Sequence, residues 1–176
     1  MSYRIFFIGV AGSGKGTQAK PLAQFLGIPY VGTGEILRSK ASENSEEGLW
    51  IKDILDQGQL VPDEKMAQLV EKRLREKDCQ NGFVLDGYPR TLNQIKLFDP
   101  RFSEVFYLEL PDEEAIKRMQ VRGRSDDNPE TVAERIRLFH QETEPITDYY
   151  RKQGILHVID GRPIVEVIQA NIRGIL

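Results

Sequence analysis

The sequence is almost free of cysteine. Cys79 is the only one among 176 residues, which excludes an internal disulfide and a zinc site built from several cysteines. Long apolar runs are also missing, since none approaches the ~20 residues that a membrane-spanning helix needs. The first four residues lead into a strand-like run without a small-residue cleavage site, so no signal peptide is expected. We therefore expect a soluble, cytoplasmic protein with no membrane partner.

An excess of positive charge is missing too. The 24 basic and 27 acidic side chains leave a net charge of −3, which argues against nucleic acid as a partner and, at first sight, against any polyanionic substrate. Hydrophobic residues make up 40% of the chain, enough for a core and too many for a disordered protein. The length fits one domain. No apolar segment is left over to form an interface, so we expect a monomer.

Short strand-like runs alternate with longer segments of helical period. The strand candidates are residues 4–8, 28–31, 83–85, 104–110 and 155–159. They are nearly continuous apolar runs, as is typical of parallel strands covered on both faces. Helices are expected over residues 16–26, 62–77 and 112–122, from 128 onward with a break at Pro145, and from 162 or 163 to 173. The pattern predicts a three-layer α/β fold with a mostly parallel five-stranded sheet flanked by helices.

A glycine-rich loop follows the first strand candidate. Residues 9–15 contain Gly-x-x-x-x-Gly-Lys between a strand and a helix, which is the context that a phosphate-binding loop requires and a plain glycine turn does not. Its backbone N–H groups converge on phosphate oxygens, aided by the helix N-terminus. This predicts a P-loop NTPase-like fold with a nucleotide phosphate site. The candidate phosphate-binding residues are Gly12, Ser13, Gly14, Lys15, Gly16 and Thr17.

The loop departs from the usual pattern at one position. Gly16 follows Lys15 where Ser or Thr is usual, so Thr17 is displaced from the common magnesium-ligand position. We expect Mg²⁺ to be held mainly through phosphates and waters, as this ion commonly is.

Polar segments also follow later strand candidates. Residues 33–38 read Thr-Gly-Glu-Ile-Leu-Arg, and residues 86–94 read Asp-Gly-Tyr-Pro-Arg-Thr-Leu-Asn-Gln. Together with Gly-Lys-Gly-Thr in the phosphate loop, they make the chain resemble the nucleoside monophosphate kinases, and among these the short-lid adenylate kinases most closely, over essentially its whole length. The resemblance implies reversible phosphoryl transfer from ATP with Mg²⁺ to AMP, giving two ADP.

The resemblance also implies roles for individual residues. ATP would be bound by the phosphate loop with Arg118 and Arg122, and Asp86 would hold Mg²⁺ through water. The residues implied in catalysis are Lys15, Arg38, Arg90, Arg124 and Arg135. Those implied in AMP binding are Thr33, Arg38, Val61, Gly87, Arg90, Gln94, Arg124 and Arg135. Residues 32–61 would form an AMP-binding subdomain, and residues 122–128 a short lid braced by Asp126 and Asp127.

The chemistry of these residues supports the same function. The acceptor in this reaction is a phosphate oxygen that is already ionised, so the protein needs to position anions and neutralise charge rather than supply a general base. Arginine suits this task because its fork matches phosphate oxygens. The two histidines, His140 in a helical segment and His157 in a core strand, are expected to be structural.

Two further features of the sequence bear on the choice of acceptor base and on the length of the lid. Gln94 can donate and accept at once, which suits an adenine edge, whereas the related uridylate and cytidylate kinases usually have asparagine there. The lid is shorter than the usual short lid by a few residues, and without further cysteines it holds no zinc. Trp50 is expected to pack in the core of the AMP-binding subdomain, and Cys79 has no assigned role.

Two other functions stay open on the sequence alone. The chain could phosphorylate another monophosphate such as UMP or CMP, or it could bind nucleotides without catalysing transfer. The set of five cationic positions from Lys15 to Arg135 argues against a protein that binds nucleotide only.

Overall fold

The computed structural model describes residues 2–124 and 127–176, and its centre is a five-stranded parallel sheet. The strands are β1 (Tyr3–Ile8), β2 (Tyr30–Gly32), β3 (Gly82–Asp86), β4 (Glu104–Glu109) and β5 (Leu156–Asp160). They lie in the order β2-β3-β1-β4-β5, and every pairing is parallel. The predicted α/β class, strand number and strand positions are therefore confirmed, with boundaries that differ by one or two residues.

Helices connect the strands and cover both faces of the sheet. They are α1 (Lys15–Leu26), α2 (Thr33–Ala41), α3 (Glu46–Asp56), α4 (Asp63–Leu74), α5 (Leu92–Leu97), α6 (Asp112–Arg122), α7 (Pro129–Leu138), α8 (Ile146–Lys152) and α9 (Val165–Arg173), together with a 3-10 turn (Lys77–Cys79) and a π-helical turn (Phe139–Thr143). The predicted helix over 62–77 is shorter than expected because Glu76 adopts an extended backbone.

Alternating side chains of β1 divide the core into two layers. Ile5 and Phe7 pack with α1 and α9 on one face of the sheet. Phe6 and Ile8 pack on the other face with side chains of α4, α6 and α8. Because a strand directs successive side chains to opposite faces, this alternation produces the predicted three-layer arrangement.

Capping residues mark the end of α1 and the start of α7. Gly27 adopts the left-handed conformation after α1 with φ of 65°, and Asn128 accepts a hydrogen bond from the Thr131 N–H at 2.9 Å at the start of α7. Within the described residues, no helix is long and apolar enough to cross a membrane.

The end of α3 rests on α7. Thr131 Oγ1 donates a hydrogen bond to the carbonyl of Asp56 at 2.7 Å, and Gln59 Nε2 donates to Glu134 Oε1 at 2.6 Å. This contact joins the segment 32–61 to the helix that follows the predicted lid.

The prediction that Trp50 belongs to the core is wrong. Trp50 is 42% exposed, whereas its neighbour Ile51 is fully buried. The buried side of α3 is narrow, because Gly48 and Ile51 are its only buried residues. Trp50 therefore lies at the margin of the packed face.

This difference gives a paired stability test. Ile51→Ala should lower the free energy of unfolding by about 2–5 kcal/mol, because it removes a buried side chain and leaves a cavity. Trp50→Ala should lower it by no more than about 1 kcal/mol. Urea unfolding followed by circular dichroism compares the two, and equal losses would contradict the assigned burial.

Candidate functional site

The phosphate loop joins β1 to α1 at the carboxyl edge of the sheet. Gly12 has φ of +87°, and a Cβ there would come within 2.5 Å of the Ala115 carbonyl, so glycine allows the loop to approach α6 closely. Lys15 begins α1 and folds back over the loop, donating to the carbonyls of Gly9 at 2.7 Å and Val10 at 2.9 Å. The Ser13 hydroxyl is buried and has no hydrogen-bond partner among the described residues.

The Lys15 ammonium is electrostatically perturbed. Burial lowers the pKa of Lys15 to about 8, opposed by the charge of Asp86 and reinforced by the positive charges of Arg90 and Arg122. A cation held in such surroundings lacks an adequate counterion, and a phosphate group would supply one.

Asp86 ends β3 beside this loop. Its Oδ2 accepts a hydrogen bond from the Tyr30 hydroxyl at 3.2 Å, and its backbone carbonyl accepts one from Thr33 Oγ1 at 3.2 Å. A Cβ at position 16 would lie 3.6 Å from Asp86 Oδ2. The glycine after Lys15 thus leaves the Asp86 carboxylate next to the phosphate loop, with no side chain between them.

Gly87 directs the chain from β3 into the cleft. It has φ of +91°, and a Cβ there would come within 2.3 Å of Thr33 Oγ1 and 3.2 Å of Arg90 Nη2. Both the backbone conformation and the space require glycine at this turn. Arg90 Nε donates to the Gly87 carbonyl at 2.9 Å, which fixes the guanidinium plane.

Gln94 is buried and its amide is held at both ends. Oε1 accepts a hydrogen bond from the Arg90 backbone N–H at 2.7 Å, and Nε2 donates to Asp63 Oδ1 at 2.9 Å. Gln94 is predicted from the sequence, whereas its partner Asp63 is not, because it is remote in sequence. No local pattern around an acidic residue in the first turn of a helix indicates such a partner.

A second set of arginines comes from α6 and α7. Arg122 Nη2 and Arg135 Nη1 both approach Asp127 Oδ1, at 2.6 and 3.1 Å, and the Asp127 side chain is only 1% exposed. Burial raises the pKa of Asp127, but the hydrogen bond and charge of Arg122, with contributions from Arg124 and Arg135, outweigh it and leave the pKa below its usual value. Asp127 thus braces these arginines, whereas Asp126 lies outside the described residues.

One cleft of about 880 Å³ is lined by all seventeen residues that the sequence analysis selected. Among the lining residues, Arg118 donates a hydrogen bond to the carbonyl of Gly161 at 2.9 Å. Residues 162–165 line the same cleft and were not selected, because an ordinary loop before a helix carries no distinguishing motif. The selected residues are Gly12, Ser13, Gly14, Lys15, Gly16, Thr17, Thr33, Arg38, Val61, Asp86, Gly87, Arg90, Gln94, Arg118, Arg122, Arg124 and Arg135.

Neither histidine is among the residues that line this cleft. His140 is bound by Asp112 at 3.0 Å and Glu144 at 2.8 Å on the outside of the molecule. His157 contacts Glu104 at 2.6 Å. The expectation that His157 lies in a core strand is wrong, because β5 pairs only with β4 and is therefore an edge strand.

A phosphate loop on a parallel sheet, facing arginines from three other parts of the chain, defines a P-loop nucleotide phosphotransferase. Residues 7–155 match the family model of adenylate kinase. The chain is 41% identical to adenylate kinase 1 of Synechocystis sp. over 179 residues, covering 98% of this chain and 96% of that protein. It is 40% identical to an adenylate kinase of Leptospira biflexa over 176 residues, covering 94% and 95%. The chain belongs to the adenylate kinase family.

It is therefore an enzyme of the adenylate kinase family, whose reaction transfers a phosphoryl group from ATP to AMP and gives two ADP. Members of the family use ATP together with Mg²⁺.

The family also contains longer chains. An adenylate kinase of Archaeoglobus fulgidus is 37% identical over 210 aligned positions, covering 98% of this chain and 97% of that protein. At least 34 of those positions (210 − 176) have no counterpart here.

Proposed function

We propose that the cleft described above binds both nucleotides of this reaction, with ATP on the phosphate loop and AMP on the side formed by residues 32–61. Lys15, Ser13 and the loop backbone would hold the ATP phosphates, and Arg118 would cover the ATP base. The AMP phosphate would lie between Arg38 and Arg90. The observation that carries the proposal is the convergence of all seventeen selected residues on one cleft.

Transfer would proceed by positioning and charge neutralisation. The attacking oxygen of AMP is already ionised, so no proton has to be removed from it. Five cations, Lys15, Arg38, Arg90, Arg124 and Arg135, would surround the migrating phosphoryl group and offset its developing charge. The absence of both histidines from the cleft-lining residues agrees with a reaction that uses no general base.

The residues present fit a magnesium ion bound with ATP. Asp86 supplies hard carboxylate oxygens beside the phosphate loop. Mg²⁺ prefers such ligands and keeps several waters, so Asp86 would hold it through water. When bound, the ion would neutralise phosphate charge. Tyr30, by donating to Asp86 Oδ2, would fix the direction of the carboxylate.

We propose that residues 122–128 form the lid, of which residues 125 and 126 lie outside the described part of the chain. The ion pairs of Arg122 and Arg135 with Asp127 support a lid that is braced by charge. A short lid agrees with a chain that lacks at least 34 positions present in a longer relative. We propose that the enzyme is monomeric and cytoplasmic.

AMP should be the preferred acceptor. Gln94 lines the cleft and presents an amide, which pairs with adenine. With AMP, CMP, UMP and GMP tested in turn against ATP, we expect AMP to give the highest kcat/KM by at least about 100-fold. Preference for UMP or CMP would assign the chain to the alternative kinase, and no turnover with any acceptor would indicate a protein that only binds nucleotides.

The pH dependence should reflect Lys15. Below its pKa of about 8 the ammonium is charged and attracts phosphate, and above this pH the free enzyme progressively loses that charge. We therefore expect kcat/KM for ATP to decline as pH rises above about 8, whereas kcat should decline only at higher pH because bound phosphates stabilise the ammonium. Steady-state kinetics from pH 6 to pH 10 test this, and a kcat/KM that is level through pH 9.5 would contradict it.

A further inference from the structure

The amide of Gln94 has only one orientation that its protein neighbours accept. Asp63, in the first turn of α4, approaches from one side with Oδ1 at 2.9 Å from Gln94 Nε2. The backbone N–H of Arg90 approaches from the other side, 2.7 Å from Gln94 Oε1. An ionised carboxylate only accepts hydrogen bonds and a backbone N–H only donates them. Rotating the amide by 180° would therefore set oxygen against carboxylate and N–H against N–H.

Asp63 is itself held in place. Its Oδ2 accepts hydrogen bonds from Thr91 Oγ1 at 3.0 Å and from Asn93 Nδ2 at 2.9 Å. Thr91 is buried and also caps α5 by accepting from the Gln94 N–H at 3.0 Å. The carboxylate thus joins the first turn of α4 to the first turn of α5, and its Oδ1 is directed at Gln94.

The held amide keeps one donor and one acceptor for a ligand. A primary amide carries two N–H groups and two carbonyl lone pairs, and the two protein contacts use one of each. Gln94 lines the cleft, so the remaining pair is available to a nucleotide base. Adenine matches this pair, because an acceptor ring nitrogen stands beside a donor amino group. A 6-oxopurine has a carbonyl oxygen in place of that amino group, and it would face Gln94 Oε1.

We propose that Asp63 is a specificity-determining residue that locks Gln94 in the orientation that accepts 6-aminopurines and rejects 6-oxopurines. The inference rests on the proposed contact of Gln94 with the acceptor base. Asp63 acts through Gln94 and is a positioning residue. Its carboxylate contributes selectivity because the wrong base would meet an acceptor that cannot turn away.

AMP and IMP give the sharpest comparison, because they differ only at ring position 6 and in the protonation of the adjacent nitrogen. In Asp63→Asn the new amide can donate to Gln94 Oε1 or accept from Gln94 Nε2, so the orientation of Gln94 is no longer enforced from this side. We expect the ratio of kcat/KM for AMP to that for IMP to fall about tenfold or more. Dissociation constants of AMP and IMP from calorimetry should shift in the same direction.

Asn93→Ala is the matched control, because it removes one of the two hydrogen bonds to Asp63 Oδ2, while Thr91 still holds that oxygen and the contact of Oδ1 with Gln94 is kept. Its AMP to IMP ratio should stay within about twofold of the unmodified enzyme. Asp63→Ala provides a second variant if Asp63→Asn folds poorly, and it should also lower the ratio. Thermal unfolding verifies that each variant is folded.

Two outcomes separate the inference from the proposed function beneath it. If Gln94→Leu lowers the AMP to IMP ratio but folded Asp63→Asn and Asp63→Ala keep it unchanged, Asp63 does not set the orientation and the inference is overturned. If Gln94→Leu itself keeps the ratio unchanged, Gln94 does not contact the base, and the proposed binding mode of AMP fails together with the inference.

Discussion

Arg90→Ala should reduce the turnover number with ATP and AMP by about 10³–10⁵-fold, which corresponds to roughly 4–7 kcal/mol of transition-state stabilisation. Arg90 lies in the cleft with its guanidinium fixed by the Gly87 carbonyl. Burial, and after it the charges of Arg135 and Arg38, lower the pKa of Arg90 against the opposing charge of Asp86. Even so lowered, a guanidinium stays cationic in the physiological range, so its loss removes a charged fork from the phosphates.

Arg90→Ala removes the side chain and preserves the backbone hydrogen bonds of this position. Its N–H donates to Gln94 and its carbonyl accepts from Thr143 Oγ1 at 2.9 Å, and alanine preserves both. The turnover number of Arg90→Lys should lie between those of the unmodified enzyme and Arg90→Ala, because lysine keeps the positive charge and loses the planar guanidinium fork. Arg151→Ala, at an exposed arginine paired with Asp148, should leave turnover unchanged. A loss of less than tenfold in Arg90→Ala would show that Arg90 does not clamp the transferred group.

Lys15→Met should lower kcat by about 10²–10³-fold, the effect of removing one preorganised donor from a developing negative charge. Methionine keeps an unbranched stem of similar length, so the loop carbonyls of Gly9 and Val10 lose only their ammonium partner. Since Lys15 would contact the phosphates in the ground state as well, the KM for ATP should rise too. Initial rates over a matrix of ATP and AMP concentrations separate the two effects.

Lys52→Met is the control for this substitution. Lys52 is exposed, forms an ion pair with Asp56 at 2.6 Å, and is not among the residues that line the cleft. Its kinetics should match those of the unmodified enzyme. A kcat of Lys15→Met within threefold of the unmodified enzyme would show that Lys15 does not contribute to phosphoryl transfer.

The fold and the cleft were predictable because their signals are local. The four apolar residues of β1 and the glycines and lysine that follow it stand within about a dozen positions of one another. A parallel sheet then brings the residues after each strand to the same edge. Arg90 and Gln94 could be predicted as site residues for that reason, although the sequence does not give the distance between their side chains.

The remaining features depend on contacts between distant segments. Asp63 and Gln94 are 31 residues apart, and neither flanking sequence indicates the other. The predictions that Trp50 packs in the core and that His157 lies in a core strand are wrong for a related reason. Apolar character and strand period indicate which side chains can be buried. Only the neighbouring elements decide whether those side chains are covered. The exposed margin of α3 and the edge position of β5 are properties of the assembled molecule.

The position of Asp127 has a consequence for the end of the catalytic cycle. In the proposed binding mode, each turnover would leave ADP in a cleft of arginines, and its departure would expose like charges to one another in a partly desolvated space. Asp127 contacts Arg122 and Arg135 from within the protein, so these arginines keep a counterion after the product has gone. This internal counterion lowers the free energy of the vacated cleft relative to the product complex. In the proposed binding mode, it would therefore favour product dissociation over tight retention of nucleotide.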